Sequence, residues 1–238
     1  MRANVFYNAL SGTLYLGRCI WDVSSGTLDF YNMKTPDYWH LAARELAERD
    51  AVLRGLVEKF QGLALGSRGD AFATLARSIV GQQISVKAAQ SVWNRLSERL
   101  GTVAPETVGR ARIPTLRACG LSGQKAGYLK DLAKKFRDGT LDTARWHALE
   151  DEVLIAELVQ VNGIGRWTAE MFLMFYLARP DVLPLGDLGL RRAMQLHYNR
   201  GRVLSVPRMQ KIGAAWAPWR SVATWYLWRS LDPIPVEY

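Results

Sequence analysis

The sequence predicts an all-α protein, because its hydrophobic residues recur at helical spacing over most of the chain. From Pro36 onward they lie at i, i+3, i+4 and i+7, the spacing of one face of a helix. No segment after residue 35 alternates apolar and polar residues with the period of a β-strand. The chain has 238 residues, 49% of them hydrophobic, which is enough to bury a sizeable core in one large or two small domains.

Residues 1–34 differ from this pattern and are interpreted as an N-terminal extension. The segments TLYLGRCIW and GTLDFY alternate apolar and polar residues around the turn sequence DVSSG. We therefore expect either a short β-hairpin or a weakly ordered segment here, and favour the second.

Four amphipathic helices are predicted between residues 36 and 136, separated by clusters of Gly, Pro, Ser and Thr. Their sequences are PDYWHLAARELAERD, DAFATLARSIVG, SVKAAQSVWNRLSERL and KAGYLKDLAKKF. The clusters are GLALGSRGD, GTVAPET, GLSGQ and DGTLDT. Two more helices are predicted around a glycine pair. The first carries an apolar stripe that ends at Val159, and the second begins near Arg166 and ends before Pro180.

The glycine pair and the acid that follows it predict chemistry on DNA. Gly163 and Gly165 lie between the two helices, where only glycine allows a sharp turn with N–H groups open to a close ligand. Backbone N–H groups at a helix start form an anion site that suits a DNA phosphate. Asp187 follows after a Pro-rich loop and precedes LGLRRAM. A phosphate site followed by a lone acid suggests chemistry on DNA. The acid could also cap a helix, and the two roles are compatible.

Composition narrows the class of protein further. The formal net charge of +9 favours a polyanionic partner such as DNA. No apolar run reaches the ~18 residues of a membrane span, and no signal peptide is apparent, so we expect a cytoplasmic protein. Cys19 and Cys119 are too few for a four-cysteine iron–sulfur cluster. The histidines show no metal-ligand spacing; they are His40, His147 and His197.

Four blocks resemble, in order, the helix-hairpin-helix DNA glycosylases, and among them the 3-methyladenine DNA glycosylase II group. The blocks are IVGQQISVKAA, VNGIGRWTAEMF, LPLGDLGLRR and WAPWRSVATWYLWR, and the resemblance covers about residues 35–232. It implies two helical subdomains with a DNA-binding and active cleft between them. One, about residues 70–185, would carry the hairpin, and the first and C-terminal helices would form the other. The implied activity is excision of alkylated bases from double-stranded DNA by a monomer.

The resemblance also assigns residues to the site. Asp187 would be the catalytic carboxylate, and Trp167, Met171 and Trp228 would line the base pocket. Trp167 occupies the position of the Schiff-base lysine of lyase-competent relatives, which implies a monofunctional enzyme that uses water. Aromatic walls suit a flipped, cationic base. Met171 replaces a tyrosine of some relatives, and Arg229 follows Trp228 where an aromatic residue can occur.

Contacts with DNA are implied for the hairpin and for the GQQIS element. Gln83 would be the wedge that fills the gap left by the flipped base, with Ile84 beside it. The DNA-binding set implied is Gly163, Ile164, Gly165, Thr168, Gln83 and Ile84. No cofactor is implied, and a Na⁺ or K⁺ ion would be held by backbone carbonyls. Those carbonyls belong to Val159, Val161 and Ile164.

Other interpretations stay open at this point. The chain could be a glycosylase for oxidised, deaminated or mispaired bases, or a non-catalytic hairpin module that binds DNA. Asp187 together with Trp167 and Trp228 argues against the second, since binding alone needs none of them. Each tryptophan could also be an ordinary core residue, and GQQIS an ordinary turn. A helix-turn-helix regulator would need a basic recognition helix, and RWTAEMFLMFYLA is apolar.

Overall fold

The computed structural model describes residues 35–66 and 70–231, and within these residues every regular element is helical. The all-α prediction is therefore confirmed. The α-helices are α1 Trp39–Arg49, α2 Ala51–Lys59, α3 Ala71–Gly81, α4 Val86–Leu100, α5 Pro105–Arg110, α6 Ile113–Ala118, α7 Gly123–Arg137, α8 Asp151–Leu158, α9 Arg166–Phe175, α10 Leu188–Asn199, α11 Val206–Ala214 and α12 Arg220–Arg229. A 3₁₀ turn, Trp146–Ala148, precedes α8. The N-terminal extension and its predicted hairpin lie outside the described residues.

Three of the predicted helices begin after polar residues whose side chains cap them. Asp70 accepts a hydrogen bond from Ala73 N at the start of α3 (2.9 Å). Ser85 and Ser122 cap α4 and α7 in the same way. Such caps satisfy the free N–H groups of a first helical turn, which is why these boundaries follow the sequence closely.

The first predicted helix, residues 36–50, corresponds to α1, and the helix that follows it directly, α2, was not predicted. Asp50 is extended (φ −137°, ψ 115°) and ends α1, while its carboxylate accepts the N–H groups of Val52 and Leu53 and so starts α2. The same carboxylate accepts hydrogen bonds from the Tyr198 hydroxyl (2.8 Å) and the Trp216 indole (3.3 Å). Asp50 thereby joins the N-terminal helices to the C-terminal part of the chain. The short helices α5 and α6 were also not predicted.

The helices pack in two groups. In one, α3 packs against α4, α7 and α9, while α7 contacts α5 and α6, and α8 contacts α9. In the other, α1, α2 and α12 contact one another and α12 contacts α10. The implied two-subdomain arrangement agrees with this packing, and the limits proposed for the subdomains, about residues 70–185 and the remainder, stay a prediction. No helix among the described residues is long and apolar enough to cross a membrane.

The loop between α9 and α10 is bonded to both groups of helices. Arg179 donates to the carbonyl oxygens of Trp146 and Leu149 (2.9 and 2.8 Å), which precede α8. Arg220, the first residue of α12, forms a two-armed ion pair with Asp181 (2.6 and 2.8 Å). Because this loop leads directly into Asp187, its attachment on both sides fixes where that carboxylate lies.

Candidate active site

Asp187 is the N-cap of α10 and is almost completely buried, with 2% of its surface exposed. Its Oδ1 accepts the backbone N–H of Leu190 (2.6 Å). The capping role considered for this residue is therefore confirmed. An isolated buried carboxylate is costly unless it is paired or hydrogen-bonded, so its other contacts decide what it can do.

Two tryptophans donate hydrogen bonds to the same carboxylate. Trp167 Nε1 donates to Oδ2 of Asp187 (2.9 Å), and Trp228 Nε1 donates to Oδ1 (2.8 Å). Trp167 lies in the first turn of α9 and Trp228 in the last turn of α12, and both side chains are half-buried. Hydrogen bonds to an ionised acceptor are about twice as strong as neutral ones. The two indoles therefore hold the plane of the carboxylate between the two groups of helices.

A glycine makes this close approach feasible. A Cβ atom at Gly189 would lie 3.0 Å from Oδ1 of Asp187 and 3.2 Å from Cδ1 of Trp228. Both distances are shorter than ordinary van der Waals contacts. The ring of Trp228 also stacks on Phe175, with ring centroids 5.9 Å apart and planes 12° apart. The indole is thus held between α9 and the start of α10.

The resemblance implies aromatic residues at or near the positions of Met171 and Arg229, and the structure places each of these two side chains. Met171, on α9, is 2% exposed and part of the hydrophobic core. Arg229 places its guanidinium 5.8 Å from the ring centroid of Trp225, which is itself buried. This cation therefore lies over the ring of Trp225, a neighbour of Trp228 on α12.

The predicted hairpin connects α8 to α9, and its two glycines differ in what they require. Gly163 has φ +86°, and a Cβ atom there would overlap the ring of Tyr128. Gly165 has an ordinary φ of −96° and open space where its Cβ would be. Packing within the protein therefore explains Gly163 and not Gly165. The side chains of Ile164 and Thr168 are buried, so any contact of theirs with DNA would be made by the backbone.

The GQQIS element is the turn between α3 and α4. Gln83 is exposed and has φ +59°, and Ile84 is 36% exposed. Gln82, between α3 and Gln83, donates from Nε2 to the carbonyl oxygen of Gly163 (2.7 Å). The turn and the hairpin are therefore neighbours in space, which the sequence did not reveal.

The backbone carbonyls implied as ligands of a monovalent cation differ in the hydrogen bonds that they accept. Val161 O accepts the N–H of Ile164 (3.0 Å). Among the described residues no hydrogen bond to the carbonyl oxygen of Val159 or of Ile164 is found. Carbonyl oxygens with free lone pairs suit a Na⁺ or K⁺ ion, so the carbonyls of Val159, Val161 and Ile164 are chemically suited to hold one. Clusters of three or more His, Cys, Asp or Glu side chains suited to a metal are also not found in the described part of the chain.

One buried acid near the site was missed by the sequence analysis. Glu170, on α9, is 5% exposed and forms an ion pair with Arg166 (3.0 Å), whose other side binds Glu152 (2.9 Å). Burial raises the pKa of Glu170, Arg166 opposes that shift, and the charges of Glu152 and Asp187 add to it. The signal was present, because Arg166 and Glu170 are an i, i+4 pair and Glu170 is the only acid in α9.

Together the fold and the site define a helix-hairpin-helix protein of base excision repair. The chain belongs to the HhH-GPD superfamily of base excision DNA repair proteins, whose sequence model matches residues 76–218, more than half of its length. The family and fold inferred from the four sequence blocks are thus confirmed. α9 cannot be the recognition helix of a helix-turn-helix regulator, since its residues 168–175 are buried and cannot enter a DNA groove.

Similar proteins agree with this assignment. The chain is 34% identical over 163 residues to DNA-3-methyladenine glycosylase 1 of Schizosaccharomyces pombe, covering 67% of this chain and 72% of that protein. Its fold is similar to the crystal structure of DNA-3-methyladenine glycosidase from Bacillus halodurans, with TM-score 0.76, 34% identity and coverage of 81% and 89%. It is also similar to the S. pombe 3-methyladenine DNA glycosylase in complex with abasic DNA, with TM-score 0.70, 31% identity and coverage of 80% and 96%.

Proposed function

We propose that this protein is a DNA-3-methyladenine glycosylase, a hydrolase that removes alkylated bases from double-stranded DNA. The observation that carries the proposal is the buried carboxylate of Asp187, held by two indole N–H groups and a backbone N–H. A module that only binds DNA has no use for an acid held in this way. The names of the similar proteins support alkylated bases as the class of substrate.

The reaction follows from the charge and position of Asp187. The bond between C1′ of the deoxyribose and the base nitrogen breaks, and its electron pair leaves with the cationic base, which becomes neutral. Positive charge develops on the sugar, where the fixed carboxylate stabilises it. Water then adds to C1′ and loses a proton, and the products are a free base and an abasic site.

We infer that the enzyme is monofunctional. Trp167 occupies the position implied for a Schiff-base lysine, and its Nε1 donates to Asp187. An indole nitrogen is a donor only and cannot add to a sugar aldehyde. Borohydride added during turnover should therefore trap no covalent enzyme–DNA adduct. A trapped adduct, or strand cleavage by the pure enzyme, would refute this part of the proposal.

Stacking supports cationic bases as the preferred substrates. A cationic base over an indole face gains about 0.5–2 kcal/mol over a neutral one. The Arg229 guanidinium lies over the ring of Trp225 and not over the electron-rich ring of Trp228. Alkylated purines also have weakened glycosidic bonds, so modest stabilisation by Asp187 gives a useful rate.

Incubation of the protein with methylated duplex DNA tests the proposal directly. The released bases would be separated and identified, and 3-methyladenine and 7-methylguanine should exceed unmodified adenine and guanine by orders of magnitude. Release of oxidised or deaminated bases alone would show that the substrate class is wrong, while the fold assignment would still hold. Release of no base from any damaged duplex would refute the glycosylase function.

The partner in this proposal is double-stranded DNA, bound by a monomer that acts with the DNA in the cytoplasm. The first-turn N–H groups of α9 would meet a phosphate at Gly165, where the space is open. The carbonyl oxygens of Val159, Val161 and Ile164 would hold a Na⁺ or K⁺ ion beside that phosphate. The ion would add positive charge at the hairpin and takes no part in the chemical step.

A further inference from the structure

The wedge loop, residues 82–85, is hydrogen-bonded to the hairpin, residues 161–165. Gln82 donates from Nε2 to the carbonyl oxygen of Gly163 at 2.7 Å. Gln83, the next residue, is exposed and has φ +59°. A left-handed backbone at a residue other than glycine is unfavourable and persists where its surroundings hold it. The outward position of Gln83 therefore depends on what holds Gln82.

Helix α7 holds the wedge loop from the other side. Lys125 donates from Nζ to the carbonyl oxygens of Val80 (2.7 Å) and Gln82 (2.6 Å). These carbonyls end α3, where the negative end of the helix dipole favours a cation. Gln82 is thus fixed twice, through its carbonyl oxygen to Lys125 and through its amide nitrogen to Gly163.

The same helix also supports the hairpin. Tyr128 fills the space beside Gly163, where the absence of a side chain and the positive φ leave room for its ring. Asp131 accepts hydrogen bonds on Oδ2 from the backbone N–H of Asn162 (2.8 Å) and from its side chain (3.0 Å). One face of α7 therefore contacts the wedge loop near its N-terminus and the hairpin further along.

We propose that Gln82 and Lys125 are positioning residues that couple the wedge to the hairpin. When the hairpin binds a phosphate, the bond from Gln82 to Gly163 O sets the distance at which Gln83 meets the base stack. Binding energy from the phosphate is thereby used to hold the duplex open at the flipped base. This inference rests on the proposed function for its substrate, and its own content is the link between two DNA contacts.

The test compares affinity for an undamaged duplex with affinity for a duplex that carries a tetrahydrofuran abasic analogue. Gln82→Met keeps the side-chain length and removes the amide donor, and Lys125→Met does the same for the ammonium group. Gln82→Met should reduce the preference for the abasic duplex about two- to tenfold, the range for loss of one hydrogen bond, and Lys125→Met, which loses two bonds, should reduce it at least as much. Both variants should leave affinity for the undamaged duplex within about twofold. Gln210→Met, on the exposed surface of α11, is the matched control and should change neither affinity.

A second arm separates coupling from simple loss of stability. Gln83→Ala removes the wedge, and Gln82→Met added to it should cause no further loss of preference, because Gln82 acts through Gln83. Additive losses, equal losses for both duplexes, or an unchanged preference in Gln82→Met would each overturn the proposal. If the wild type prefers the abasic duplex and releases no alkylated base, the proposed function fails while the coupling stands.

Discussion

Replacement of Asp187 by Asn is the most direct test of the site. The substitution keeps the shape of the side chain and removes its charge. A positioned acid or base typically contributes ~10²–10⁴-fold to rate, so excision should fall by at least ~10²-fold. Binding to DNA should remain, because the hairpin and the wedge loop are not altered.

The structure also predicts a cost in stability for this change. Three N–H donors converge on the two oxygens of Asp187, whereas an Asn amide offers one acceptor oxygen and an NH₂ group that only donates. With the amide oxygen facing Leu190 and Trp228, its NH₂ group faces Trp167 Nε1, so one bond is lost. Loss of a hydrogen bond to a charged group costs ~1.5–3 kcal/mol. Trp167→Phe in the Asn background should restore part of the unfolding free energy and leave excision low.

Single-turnover release of 7-methylguanine, measured with enzyme in excess, would give the rate, and affinity for an abasic-analogue duplex would give the binding. Asp142→Asn, at an exposed turn, is the matched control and should change the rate less than twofold. Near-normal excision by Asp187→Asn would show that another group performs the chemistry. Loss of binding equal to the loss of rate would show that Asp187 acts only by shaping the site.

Three further predictions follow from neighbouring residues. Gly165→Val should weaken binding to all DNA sequences alike, since phosphate contacts carry no sequence information. The control Gly123→Val, at another helix start with open space, should leave DNA affinity unchanged. If Gly165→Val binds DNA as tightly as the wild type, the phosphate contact is refuted. Trp228→Phe keeps a ring face and loses the donor to Asp187, so it should slow release of cationic and neutral bases equally. Trp228→Leu also loses the ring face, so it should slow release of the cationic 7-methylguanine more than release of hypoxanthine. Equal slowing of both bases in Trp228→Leu would exclude a role for the ring face. Glu170→Gln should alter the pH dependence of unfolding. Burial raises the pKa of Glu170, so the folded wild type binds more protons than the unfolded chain, and its stability relative to the Gln variant should decline as pH rises above about 4.5. Thermal unfolding of both proteins across pH would check this.

Local signals in the sequence predicted the elements that local interactions determine. The starts of α3, α4 and α7 follow from Asp70, Ser85 and Ser122, whose caps involve residues three positions away. The cap by which Asp50 starts α2 is equally local, since it accepts from Val52 and Leu53, although the sequence analysis missed this helix. The hydrogen bond from Tyr198 to the same carboxylate joins residues 148 positions apart, and no local pattern contains that partner.

The same distinction applies to the site. The hairpin glycines and the capping position of Asp187 are local features, and the sequence predicted both. The hydrogen bonds from Trp167 and Trp228 join Asp187 to residues 20 and 41 positions away on separate helices, and nothing in their spacing indicates which edge of each ring faces the acid. The bond from Gln82 to the hairpin spans 81 positions, and it was invisible for the same reason.

The way in which Asp187 is buried bears on how it would act. Among the described residues the structure records no ion pair to this carboxylate, and the nearby carboxylate of Glu170 has the same sign of charge. The carboxylate is therefore stabilised by N–H dipoles alone. Unlike a cation, these dipoles solvate the anion without cancelling its negative charge and leave its field in place. A cation that develops on the sugar during base loss would meet this field at a site that needs no reorganisation. The ground state, in which the sugar is neutral, gains less from the same field, so the arrangement stabilises the transition state selectively. An Arg or Lys paired with Asp187 would oppose this field and make the acid less useful.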